Sequence, residues 1–175
     1  HTTGQAITEH PNIKAISFTG GTATGAHIAR TAAPMFKKLS LELGGKNPNI
    51  IFADCDYDEM LNVTVRSSFA NQGQICLCGS RIFVERSIYD KFKTDFVARV
   101  KALKVGNPFD ETTNIGALVS KPHLEKVKSY IDIAKEEGGT VLCGGNEVVV
   151  EGSENGYYLE PTVIEVQTDQ CRVNQ

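Results

Sequence analysis

Apolar and polar positions along the chain change period in an orderly way. From Asn12 to Phe18 (NIKAISF), Ile13, Ala15 and Ser17 alternate with Lys14, Ile16 and Phe18, which predicts a short strand. Thr19-Gly-Gly-Thr-Ala-Thr-Gly25 follows as a Gly-rich turn. A helix through Ala26, Ile28, Ala29, Ala32 and Ala33 comes next, closed near Pro34. Lys37 to Leu43 alternates again as a strand, and Asn49 to Ala53 (NIIFA) is a second, apolar one. Asp56 and Glu59 mark a capping-box-like helix start. Leu61, Val65 and Phe69 then recur on one face of that helix.

The second half repeats the logic. Arg81 to Glu85 predicts a strand, and the next helix carries an apolar stripe of Ile88, Phe92, Phe96, Val100 and Leu103. Val105 to Asn114 is turn-rich. Ser120 to Glu137 predicts a helix with Leu124, Val127, Ile131 and Ala134 inward, Lys121, Lys126, Lys128 and Lys135 solvated, and Gly138-Gly139 at its end. Thr140 to Cys143 is strand-like, Glu147 to Glu160 reads as loop or hairpin, and Tyr157 to Val166, with Pro161 inside it, as an edge strand. Strands alternating with helices predict an α/β fold with a parallel sheet, at least in its main body.

Composition narrows the classes. A chain of 175 residues with 41% hydrophobic and 22% charged residues can bury a core. A net charge of -3 offers no basic excess for nucleic acid, and no apolar run is long enough to span a membrane. The five cysteines (Cys55, Cys76, Cys78, Cys143 and Cys171) are odd in number, without a CxxC pair, and the four histidines lack ligand spacing. No metal site is therefore expected. A reduced, intracellular thiol protein, cytoplasmic in setting, is expected instead.

Three stretches carry candidate chemistry. The first is Phe69 to Arg81 (FANQGQICLCGSR), which joins a helix to a strand and sets Cys76 in a Gly-bounded turn with amide residues just before it. Backbone N–H groups of such a turn can stabilise a developing oxyanion. A lone cysteine is equally a small buried hydrophobe, and Cys76 with Cys78 could be a redox pair, although Cys-x-Cys is short for an unstrained disulfide. The second is the turn with Gly20, Gly21 and Gly25: strand, Gly-rich turn and helix is the geometry in which N–H groups meet phosphate, or simply a tight turn. The third is Glu42, at a strand end before Gly44-Gly45, either a solvated residue or a carboxylate aimed into open space.

Together, Leu41-Glu-Leu-Gly-Gly-Lys-Asn-Pro48, Gly73-Gln-Ile-Cys76 and the turn at 20–25, in this order and with Cys76 34 residues after Glu42, strongly resemble the NAD(P)-dependent aldehyde dehydrogenase superfamily. The resemblance runs from Phe18 to the Glu-Pro-Thr-Val stretch at 160–163. It implies a Rossmann-like parallel sheet with helices plus a second α/β catalytic domain, both partial here. Residues 1–43 would be the end of the NAD-binding domain and 44–175 part of the cysteine-bearing domain. It implies oxidation of an aldehyde to a carboxylic acid through a cysteine thiohemiacetal and thioester. Cys76 would be the nucleophile, its own N–H would help bind the oxyanion, and Glu42 would be the base that activates water. Gly20, Gly21 and Gly25 would meet the cofactor, NAD or NADP, at its pyrophosphate, and Leu43 and Gly44 would line the nicotinamide. Many members carry Ser where this chain has Gly21, which removes one hydroxyl donor.

The run from Ser67 to Phe92 most resembles members acting on muconate-type semialdehydes, with retinal and betaine aldehyde dehydrogenases next. Ile75 and Leu77 would shape the aldehyde pocket. Arg66 would either pair with a substrate carboxylate or simply cover the helix surface. A homodimer or homotetramer is implied, with no nucleic acid or membrane partner. A catalytically silent, crystallin-like structural member of the same fold is the alternative. The absence of an initiator Met and the abrupt end at Gln175 read as an internal segment. The family's upstream oxyanion asparagine and its ribose-binding residues are expected outside it, and the segment alone is expected to be inactive.

Overall fold

The computed structural model describes residues 2–175. They fall into two compact units, 2–45 and 46–175.

The first unit is built on a strand–helix–strand motif. β1 (Ala15–Thr19) and β2 (Lys38–Glu42) pair in parallel with Thr19 opposite Glu42, and the crossover contains α2 (Thr22–Ala32). Pro34 lies in a 3₁₀ turn (Ala33–Met35) that follows α2 and is capped by Phe36 in the left-handed region (φ 52°). The sequence pattern misses a helix before β1, α1 (Thr2–Glu9). TTGQAITE carries no acidic residue in its first turn and no basic residue in its last, so nothing local announces it. A long-range contact holds it: the buried Lys37 ammonium donates to Thr8 O (2.6 Å) in its last turn and to His10 O (2.8 Å) just beyond it.

The second unit begins with another parallel pair, β3 (Pro48–Ile51) and β4 (Arg81–Val84), Pro48 lying opposite Arg81. α3 (Tyr57–Phe69) lies in the crossover, and the Asp56 carboxylate accepts from Glu59 N–H at 3.2 Å, as the capping pattern predicts. α4 (Tyr89–Lys101) and α5 (Lys121–Glu136) follow. Ile51, Leu61, Phe92, Phe96, Val100 and Cys143 form one core, and Leu118, Leu124, Ile131 and Leu159 a second. Phe92 and Phe96 stack at 5.2 Å, and each fully buried apolar side chain contributes about 1.5–3 kcal/mol.

The C-terminal part departs from the expected single edge strand. Tyr157 to Val166 divides around Pro161 into β7 (Tyr158–Leu159), antiparallel to β6 (Glu147–Val148), and β8 (Val163–Glu165), antiparallel to β5 (Thr140–Cys143). Proline has no N–H for a ladder, so the run changes partner there. The parallel arrangement therefore holds through β4 and gives way to antiparallel pairs afterwards.

Candidate active site

In the first unit the expected cofactor residues and the expected base emerge at the carboxyl ends of β1 and β2, where ligands of parallel α/β motifs bind. Gly20 N–H donates to Glu42 O at 3.0 Å, which ties the turn to the strand carrying the carboxylate. Gly21 is the N-cap of α2, with no side chain capping the helix and no acidic residue in its first turn. A β-carbon at Gly21 would meet nothing within 4 Å. An uncapped helix start beside open space fits a dinucleotide pyrophosphate. A β-carbon at Gly25 would stand 2.5 Å from Leu43 Cδ2, so glycine at this position lets the Leu43 side chain press against the helix. Glu42 and Gly44 are exposed and Leu43 half-buried.

In the second unit Cys76 sits on a loop made by an unusual backbone. α3 ends at Phe69, and Asn71 (φ 49°), Gln72 (φ 58°) and Gly73 (φ 71°) are left-handed in succession. Asn and Gly accept this conformation, whereas Gln does so at a cost of about 1–2 kcal/mol. The Gln72 amide offsets it. Oriented so that its oxygen accepts from Gly116 N–H (2.9 Å), it donates to Asn71 O (3.0 Å). Gln74 adds a tie to the same neighbouring segment by accepting from Val119 N–H (3.1 Å). The loop then closes on α3, because Gly79 N–H donates to Ser67 O (3.2 Å) and Ser68 Oγ to Gly79 O (3.0 Å).

The cysteine itself is presented outward. All five cysteines are free; Cys76 is exposed, Cys55 half-buried, and Cys78, Cys143 and Cys171 buried. Cys78 packs inward with its thiol toward Ala70 O. Among the described residues the N–H of Cys76 has no acceptor, whereas Cys78 N–H is bonded to Ile75 O (3.0 Å). A free thiol beside a free backbone donor is the arrangement that attack on a carbonyl requires. Ile75 (40% exposed) and Leu77 (79%) flank it as apolar surface.

Both signature stretches match a known family, and the match extends over residues 1–175 to the model described as "Aldehyde dehydrogenase family". The chain belongs to the aldehyde dehydrogenase family. It is 51% identical over 175 residues to 2-aminomuconic semialdehyde dehydrogenase of Danio rerio, covering 98% of this chain and 36% of that one. It is 48% identical to 2-aminomuconic 6-semialdehyde dehydrogenase of a Pseudomonas species, covering 97% and 35%. The crystal structure of betaine aldehyde dehydrogenase from Staphylococcus aureus in complex with NAD+ superposes with a TM-score of 0.94 at 41% identity, covering 98% of this chain and 34% of that one. The chain thus spans about a third of the length of the aldehyde dehydrogenases it matches.

Arg66 lies on the last turn of α3, exposed, at a recess of about 430 Å³ shared with Asn62, Val65, Phe69, Arg99 and Asn114. Neither Ile75 nor Leu77 lines that recess. Arg99 is engaged with the Asn62 carboxamide, which leaves Arg66 as the other guanidinium at its rim. Among the described residues no cluster of His, Cys, Asp or Glu could hold a metal ion, and no helix is long and apolar enough to cross a membrane.

The sequence reading did not single out Asn47 as a site residue. Its carboxamide reaches across to the cysteine loop, donating to Cys76 O (2.5 Å) and Cys78 O (3.2 Å). The neighbouring Lys46 ammonium is held below its ordinary pKa by desolvation and by the Arg81 guanidinium.

Proposed function

We propose that the protein oxidises an aldehyde to a carboxylic acid, with NAD as the hydride acceptor, through covalent chemistry at Cys76. The observation that carries the reading is the exposed Cys76 thiol on a loop whose Cys76 N–H is unclaimed among the described residues. The thiolate forms a bond to the aldehyde carbon, the carbonyl electron pair moves to oxygen, and the resulting alkoxide of the thiohemiacetal is stabilised by that N–H. Bound NAD would supply the acceptor for the hydride of this carbon, and Cys76 would then hold the acyl group as a thioester. Glu42 then takes a proton from water, which adds to the thioester carbon and expels the thiolate. Gly20, Gly21 and the first N–H groups of α2 would hold the pyrophosphate, and the backbone of Leu43 and Gly44 would line the nicotinamide.

The relatives named for 2-aminomuconic semialdehyde support a muconate-type semialdehyde as substrate, an aldehyde with a carboxylate at its far end. Arg66 offers a planar, permanently charged fork for that carboxylate. Five free thiols suit a reducing, cytoplasmic setting. A homodimer or homotetramer is the assembly we read for the full-length protein.

The test is single-turnover kinetics on the full-length protein with NAD and a carboxylate-bearing semialdehyde. Cys76→Ala is expected to abolish NADH formation. Glu42→Gln is expected to retain a first-turnover burst while slowing thioester release by about 10²–10⁴-fold. No aldehyde-dependent NADH from a folded, full-length protein across an aldehyde panel would refute the reading and favour the catalytically silent alternative.

A further inference from the structure

We propose that Asn47 is a positioning residue for Cys76, acting through the backbone of the cysteine loop; the proposal rests on Cys76 being the nucleophile. A carboxamide NH₂ carries two protons and can serve two acceptors at once. Asn47 Nδ2 does so, 2.5 Å from Cys76 O and 3.2 Å from Cys78 O. Its own backbone is anchored where β3 begins, with Asn47 O accepting from Arg81 N–H at 3.2 Å. The carboxamide therefore links the loop to the start of the β3–β4 pair.

The consequence for Cys76 follows from which peptide planes are held. The plane before Cys76 contains Ile75 O and the Cys76 N–H, and it is fixed by the bond from Cys78 N–H to Ile75 O. The plane after Cys76 contains Cys76 O, and Asn47 fixes it. With both planes held, both backbone dihedrals of Cys76 are set, because a peptide unit is rigid. The Cα–Cβ bond that carries the thiol and the unclaimed N–H are related through φ, so holding the Cys76 carbonyl sets their relative direction. Without Asn47 the Cys76 carbonyl is free to shift, and rotation about the Cys76 N–Cα bond goes with it. The thiol stays exposed and chemically intact, but it no longer keeps a fixed relation to the N–H that would receive the alkoxide. Loss of one such donor typically costs about 10²–10³-fold in rate.

The experiment compares the full-length parent with Asn47→Leu, which keeps the approximate size but has no donor, and Asn47→Gln, which keeps the carboxamide one methylene further out. Three readouts are taken: the single-turnover rate of NADH formation, the KM for aldehyde, and the rate of Cys76 alkylation by iodoacetamide in the absence of substrate. For Asn47→Leu the expected result is an acylation rate lowered by about 10²-fold, with KM and the alkylation rate each within about threefold of the parent. For Asn47→Gln it is a smaller fall, about 10-fold; should Asn47→Leu fail to accumulate as folded protein, this variant decides. An acylation rate within twofold of the parent in either folded variant overturns the proposal. So does a parallel loss of alkylation, acylation and thermal stability, which would mark Asn47 as structural only. If the parent itself gives no aldehyde-dependent NADH, the catalytic reading fails first and the proposal falls with it, a result visible before any variant is made.

Discussion

Gly79 and Ser67 approach so closely that a β-carbon at position 79 would stand 2.9 Å from Ser67 Oγ, with Asn49 Cβ at 3.3 Å on another side. This is where the cysteine loop seals against α3, for Gly79 N–H also reaches Ser67 O and Oγ. Gly79→Ala is expected to push the loop off the helix and destabilise the protein by about 1–3 kcal/mol. Gly79→Ala combined with Ser67→Gly, which removes the obstructing hydroxyl, should recover part of that loss. Chemical denaturation of these two variants and of Ser67→Gly alone checks the coupling, and purely additive effects would contradict it.

The left-handed run at Asn71 and Gln72 gives a second prediction. A β-branched residue tolerates positive φ worst, so Gln72→Val should cost about 1–3 kcal/mol. Gln72→Gly should be much milder, because relief of strain offsets the lost amide contacts. Equal midpoints for the two variants in urea would show that the backbone at 72 is not held in this conformation.

Lys37 links residues far apart in sequence through two carbonyls at the end of α1. Lys37→Met keeps the length of the side chain and removes the donors. A loss of about 2–3 kcal/mol is expected, because bonds to a charged donor are strong and the carbonyls are left without it. Amide hydrogen exchange should rise selectively over 2–9, and uniform exchange across the chain would count against the assignment.

Tyr89, Lys93 and Glu165 predict two pH limbs of stability. Tyr89 donates to the Glu165 carboxylate, which Lys93 also pairs at 3.0 Å. Burial, and then the bond to Glu165, push the Tyr89 phenol up to about 12. The bonds from Tyr89 and Lys93 hold the Glu165 carboxyl below its ordinary range. The stability contributed by the phenol is fully present below its ordinary value near 10 and disappears as pH rises through about 12. The stability contributed by the carboxylate is present above the ordinary value of 4.5 and disappears as pH falls through the lowered one. Tyr89→Phe should therefore lower the melting temperature at neutral pH and flatten the alkaline limb. An unchanged alkaline limb would contradict the pairing.

Much of the fold is legible because it follows periodicity. The α4 stripe of Phe92, Phe96 and Val100 is buried as its spacing predicts, and the turn after β1 announces itself through Gly20 and Gly21. Cys76 and Glu42 are legible as candidates because their motifs are long. What escapes is carried by contacts between distant positions. α1 depends on Lys37, 29 residues from Thr8, and the Asn47 clamp reaches 29 residues to Cys76. A single Asn before a proline reads as an ordinary turn residue until its partner carbonyls are placed. The division of 157–166 into two strands was half-visible in Pro161, whose missing N–H broke the run, but the separate partners of the halves lie elsewhere in sequence.

The packing of Leu43 into the space at Gly25, together with the bond from Gly20 N–H to Glu42 O, makes one mechanical piece of the helix start and the carboxylate strand. On the proposed reaction, a ligand that draws the turn at 20–21 toward its phosphates also pulls on the backbone of the residue that activates water. Occupancy at one end of the piece would set the aim of the carboxylate at the other. A bulkier side chain at position 25 would then impair thioester hydrolysis as well as dinucleotide affinity, two defects from a residue that contacts neither reacting group.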